Sequence, residues 1–190
     1  MLVLASGSPR RRQLLEMLGI PHVVDPADIE EVQHPGESPE AFASRVAREK
    51  AEEVARRHRG HAVLGADTVV VVDSVTLGKP VSPEDAAGML ERLAGREHRV
   101  VTAVALAHEG RVHERRDVTR VWFRPLTLDE IQAYVASGEP LDKAGAYGVQ
   151  GKGSVLVERI EGDFFSVMGL PVRLVVELLA AAGLRYSFTR

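Results

Sequence analysis

Ala62-Val63-Leu64-Gly65-Ala66-Asp67-Thr68-Val69-Val70-Val71-Val72 is the stretch on which the fold turns. Its β-branched residues read as a buried strand, and Asp73-Ser74 reads as a hairpin turn into Val75-Thr76-Leu77. Upstream, Phe42, Val46, Ala47, Ala51 and Val54 recur at helical spacing between Pro39 and Arg59. Downstream, Pro83 to Ala94 reads as a helix with Ser82 at its N-cap. Further out, Leu2 to Ala5 reads as a short strand, and Ser6-Gly7-Ser8-Pro9 turns into a helix carrying Leu14, Leu15 and Leu18 and stopped by Gly19. Val23-Val24 reads as a second short strand, and the polar residues Asp25 to Pro39 read as a loop. Arg99 to Ala107 and Val112 to Phe123 flank Glu109-Gly110 as a long β-hairpin. Then come a helix over Leu128 to Ala136, a glycine-rich loop over Glu139 to Gly153, a strand over Val155 to Ile160, and a last helix over Pro171 to Ala182 capped by Gly183. Helices alternating with strands and hairpins predict an α/β fold on a mixed sheet. No repeat or linker divides the chain, so residues 1–190 read as one domain.

Composition narrows the function. The chain has 190 residues, 45% apolar and 27% charged, with a net charge of −3, which is ample for a packed core. The absence of cysteine excludes a disulfide framework, thiolate-bound zinc and thiol catalysis. The slightly acidic balance argues against a general nucleic-acid binder, yet leaves room for a locally basic site that takes a small anion. Apolar runs such as Val69 to Val72 fall far short of the ~20 residues of a spanning helix. Met1 to Ala5 is too short for a signal segment, and its arginines follow it, so the expectation is a cytoplasmic protein with no membrane partner. Arginine outnumbers lysine 20 to 4, so the surviving Lys50, Lys79, Lys143 and Lys152 mark places where a compact ammonium could matter.

Four constellations can carry chemistry. In Ser6-Gly7-Ser8-Pro9-Arg10-Arg11-Arg12, Ser8 is a natural N-cap, but three arginines occupy a first helical turn that disfavours cations. A phosphate there would meet free N–H groups, a hydroxyl and guanidinium forks; equally, the arginines could fan into water. Asp67-Thr68 sets a carboxylate inside an apolar strand, where it is costly unless paired, hydrogen-bonded or metal-bound. Such a carboxylate can act as a general base or position a metal-bound water, and Gly65 leaves room for something to approach. Alternatively, Asp67 caps a neighbouring turn. Third are the four lysines. Fourth is the loop to Gly153, whose five glycines from Gly138 suit a backbone that wraps a ligand, with Gln150 offering the donor and acceptor needed to read a base edge. The bland alternative is a flexible connection. Glu30-Glu31 could hold a hard cation or simply be solvated, and there is no HExxH, Walker A or GxGxxG pattern.

Taken together, Leu4-Ala5-Ser6-Gly7-Ser8-Pro9-Arg10-Arg11, Ala47-Arg48-Glu49-Lys50-Ala51, Gly65-Ala66-Asp67-Thr68-Val69-Val70, Leu77-Gly78-Lys79-Pro80, Glu139 to Gly151 and Gly169-Leu170-Pro171 resemble the Maf family. The resemblance implies a fold akin to inosine-triphosphate pyrophosphatases: a long mixed twisted sheet with flanking helices, and two lobes around a central cleft. It also implies hydrolysis of nucleoside triphosphates between the α and β phosphates, with a divalent cation (Mg²⁺ or Mn²⁺), by a homodimer. Asp67 then matches the catalytic proton acceptor, Ser8, Arg11, Lys50 and Lys79 match phosphate-holding positions, and Glu31 with Asp67 matches the metal position. Arg10, Thr68 and Gln150 resemble the branch that acts on dTTP and UTP. The alternatives within the resemblance are 7-methyl-GTP hydrolysis and a nucleotide-binding regulator of septum formation. The chain departs from the family at Asp73-Ser74, a turn usually closer to Asp-Gly, at Ala103, where Gly is common, and at Ser166, where Asn is common.

Overall fold

A computed structural model describes residues 1–188. In chain order it contains β1 (Leu2–Leu4), α1 (Pro9–Met17), β2 (His22–Val24), α2 (Pro39–Ala55), β3 (Ala62–Val72), β4 (Val75–Leu77), α3 (Pro83–Leu93), β5 (Glu97–His108), β6 (Arg111–Phe123) and α4 (Leu128–Ala136). Three 3-10 turns follow (Glu139–Asp142, Ala144–Ala146 and Gly151–Leu156), then β7 (Val157–Glu161), α5 (Phe164–Met168) and α6 (Val172–Ala181). The strands form one mixed sheet in the order β2-β1-β3-β5-β6-β7, with β4 paired to β3. β1 lies parallel to both β2 and β3, while β4 and β7 join antiparallel. The expected α/β fold on a mixed sheet is the observed one.

Local chemistry explains the elements. Ser82 accepts a hydrogen bond from the Asp85 N–H, and Ser38 accepts from Ala41, each just before a proline at the first helical position. Thr127 and Glu130 form a reciprocal capping box on α4. Both residues of each hairpin turn have positive φ, 49° and 64° at Asp73-Ser74 and 49° and 74° at Glu109-Gly110, which matches the right-handed twist of the flanking strands.

The chain divides into two compact units. The first comprises Met1–Asp67, Thr102–Asp117 and the residues from Gly169 onward; the second comprises Thr68–Val101 and Val118–Met168. β3, β5 and β6 contribute residues to both. In the first unit α2 buries Phe42, Val46, Ala47, Ala51 and Val54, and α6 buries Leu174, Val175, Leu178 and Leu179. The second has its own core, in which Leu90 and Leu93 of α3 and Ile131 and Tyr134 of α4 join Val70, Val100, Phe123 and Tyr147.

Two sequence readings need refinement. The segment from Glu139 to Gly153 is no plain loop but a series of tight turns, and the five-residue α5 had no counterpart in the sequence reading. Ser8 does occupy the extended N-cap position of α1, yet its side chain makes no capping bond.

Candidate active site

β3 and α2 build the centre of the first unit. A Cβ at Gly65 would stand 2.1 Å from the Ala47 carbonyl oxygen and 2.8 Å from the Ala51 nitrogen, so the helix backbone lies directly on the strand at this point. Alternation puts Asp67 on the same strand face as Gly65. One turn along α2 from Ala47, Lys50 is the single cation on the buried stripe. Its Nζ donates to Asp67 Oδ1 at 2.9 Å and stands 2.9 Å from Glu31 Oε1. Lys50 and Asp67 are 7% and 6% exposed, while the Glu31 carboxylate is half open to solvent. The cost of burying Asp67 is therefore met by a lysine ion pair.

The arginine-rich start of α1 joins this centre through Arg11. Its Nε donates to the Gly169 carbonyl at 2.8 Å, and its Nη1 donates to Ser6 Oγ and to the Ala66 carbonyl, each at 2.9 Å. Only 8% exposed, Arg11 does not fan into water. Burial pushes its guanidinium below its ordinary pKa, while Asp67 and Glu31 pull the other way. Arg11 thus ties the start of α1 to the residue before Asp67. Ser8 and Arg10 are half-buried beside it in sequence, and Arg12, exposed, pairs with Glu16 at 3.4 Å.

The remaining candidates belong to the second unit. Thr68 is half-buried on β3, directly after Asp67. Lys79 is exposed just beyond β4, and among the described residues its ammonium has no hydrogen-bond or ion-pair partner. Gln150 is half-buried, and its Oε1 is buried with no hydrogen-bond partner among the described residues. Of the other two lysines, Lys143 donates to the Glu139 carbonyl at 2.5 Å and to Asp142 at 2.6 Å, a local tie of the turn, and Lys152 is exposed. The structure brings Lys50, Asp67, Glu31 and Arg11 together. Sequence reasoning missed the direct Lys50–Asp67 pair, although a lone lysine on an apolar helical stripe and a glycine beside it in the next strand were its signals.

The donor chemistry also bears on a divalent cation. Asp67 and Glu31 already converge on one ammonium, and both offer hard oxygen atoms. Among the described residues no group of three or more acidic, histidine or cysteine side chains forms a closed cage. One or two carboxylates completed by substrate phosphates is how Mg²⁺ is commonly held, so these residues fit such an ion in company with a triphosphate.

In comparison with known proteins, the pattern of the Maf-like protein family matches residues 1–182. The chain belongs to the Maf-like protein family. A relative from Myxococcus xanthus named dTTP/UTP pyrophosphatase is 55% identical over 185 residues, covering 97% of this chain and 93% of its own. Relatives of the same name from Moorella thermoacetica and Syntrophomonas wolfei are 52% and 50% identical over 187 and 182 residues. These cover 96% and 95% of this Maf-like chain and 95% and 96% of their own.

Proposed function

We propose that this Maf-like chain is a pyrophosphatase that hydrolyses dTTP and UTP to the monophosphate and pyrophosphate. The observation that carries the reading is near-full-length identity of 50–55% to relatives bearing that name. The geometry supports the chemistry. Asp67 is a carboxylate held at one place by Lys50 and by the strand. It would take the proton of a water whose oxygen bonds to the α-phosphorus as the bond to the bridging oxygen breaks and pyrophosphate leaves. Lys50, Ser8, Arg11 and Lys79 would hold the phosphates, with Lys79 as the cation least committed to protein partners.

Asp67 and Glu31 are the residues that would hold Mg²⁺ or Mn²⁺. Such an ion, when bound, supplies charge neutralisation on the phosphate oxygens. Base choice would fall to Arg10, Thr68 and Gln150. Among the described residues the buried Gln150 Oε1 is an acceptor without a donor. Thymine and uracil present an N3–H donor, whereas cytosine presents an acceptor there, and a buried acceptor facing it would lose a hydrogen bond.

The same reading takes the protein to be a cytoplasmic homodimer with no nucleic-acid partner. Among the described residues no helix is long and apolar enough to cross a membrane. Sedimentation of the purified chain tests the dimer. Pyrophosphate release from dTTP, UTP, CTP, dATP, GTP and 7-methyl-GTP with Mg²⁺ or Mn²⁺ tests the activity. Release from dTTP and UTP well above the rest is expected; turnover of 7-methyl-GTP alone would overturn the substrate assignment.

A further inference from the structure

A single carboxylate organises the glycine-rich segment. Glu139 Oε1 accepts hydrogen bonds from the Tyr134 hydroxyl and the Gly153 N–H, both at 2.9 Å, and Oε2 accepts from the Lys152 N–H at 3.0 Å. The Tyr134 oxygen accepts in turn from the Gly148 N–H at 3.2 Å. The chain is therefore clamped two residues before Gln150 and again two and three residues after it.

Two glycines leave room for this clamp. Gly151 has φ +80°, and a Cβ on it would stand 2.9 Å from Glu139 Oε2; at Gly153 a Cβ would stand 2.5 Å from the Tyr134 oxygen. Side chains at either position would displace the pair. Burial works to raise the Glu139 carboxyl, but the N–H groups of Gly153 and Lys152 and the Tyr134 hydroxyl outweigh it and hold it below its ordinary pKa. Gln150 Oε1, by contrast, makes no bond among the described residues that would fix its direction, so the backbone carrying it sets its aim.

We infer that Glu139 is a positioning residue for base selection: it fixes the main chain on both sides of Gln150 and so sets the preference for a pyrimidine with an N3–H, without touching the base. The inference rests on the reading of Gln150 given above. It explains why a carboxylate outside the phosphate-holding set is tied to three donors.

Steady-state hydrolysis of UTP and CTP by the wild type, Glu139→Gln, Gln150→Ala and the double variant tests it, with amide hydrogen exchange measured alongside. In Glu139→Gln an NH₂ group replaces one acceptor and meets N–H donors. Its kcat/KM for UTP should fall about tenfold, mainly through KM, and its UTP:CTP preference should drop toward that of Gln150→Ala. The double variant should be no worse than Gln150→Ala alone, because the two act through one contact. Exchange at Gly148, Lys152 and Gly153 should quicken. An unchanged UTP:CTP preference, or additive losses in the double variant, would overturn the inference and leave Glu139 a stabilising residue only. Tyr134→Phe keeps the buried ring and removes only the hydroxyl, so it applies the same test if Glu139→Gln does not fold: its preference must shift in the same direction. A wild type inactive on UTP would instead overturn the functional reading, and the exchange rates would then decide by themselves whether Glu139 holds the segment.

Discussion

Asp67 sits in a valine-rich strand, where an unpaired carboxylate would cost several kcal/mol, and Lys50 supplies the missing charge from a helix pressed against that strand. Removing one partner strands the other. Lys50→Met is expected to lower stability by about 3–5 kcal/mol in urea denaturation, and adding Asp67→Asn should recover much of that loss. If the single and double variants unfold at the same urea concentration, the pair does not carry the burial of Asp67. A second buried polar residue gives a pH signature. His98, 2% exposed, has its Nε2 2.8 Å from the Tyr147 hydroxyl, and its ring meets Phe123 edge-on. Burial pulls its imidazole down to about 4 from the ordinary 6.5, with Glu97 acting in the opposite direction. The unfolded chain thus takes up a proton that the folded chain refuses, so stability present above pH 6.5 is lost as pH falls toward 4, by on the order of 3 kcal/mol. Denaturation midpoints at several pH values, compared with His98→Phe, check this. A variant whose midpoint falls as steeply as the wild type's between about pH 6.5 and 4.5 would contradict it.

The elements were readable in proportion to how far local chemistry alone decides them. The limits of β3 and α4, the capped start of α3 and both positive-φ hairpins follow from periodicity, proline and turn residues. What escaped the sequence depends on residues distant along the chain. The glycine-rich segment looked like a loop because its order comes from Tyr134 and Glu139 side chains binding its backbone. Ser8 looked like a cap, but local propensity did not foretell its lack of a capping bond. Within the candidate site, Asp67 was legible as a carboxylate needing a partner, while the identity of that partner required the approach of α2. Gly65→Ala tests that approach. A methyl there overlaps the Ala47 carbonyl, so a loss of at least about 1–3 kcal/mol is expected, whereas an unchanged melting temperature would show that the helix has room to move. At the β3–β4 turn Ser74, with φ +64°, bears strain that glycine would not. Ser74→Gly should raise stability by about 0.5–1 kcal/mol in thermal unfolding. A lower melting temperature would contradict that.

For the molecule as a whole, a chain of the Maf-like family presents in its first unit a buried carboxylate, a lysine bound to it, and an arginine-rich helix start tied to the same strand. A net charge of −3 makes this cluster of cations a local feature rather than a general basicity. That concentration suits a small polyanion better than a nucleic-acid backbone. The central claim is that Asp67 accepts the proton of the attacking water. The measurement that bears on it most directly is pyrophosphate release from UTP by wild type and Asp67→Asn, paired with UTP affinity by calorimetry. The account predicts that kcat falls by a factor of about 10² or more while the dissociation constant stays within about tenfold of wild type. Turnover by Asp67→Asn at a rate close to wild type would contradict it.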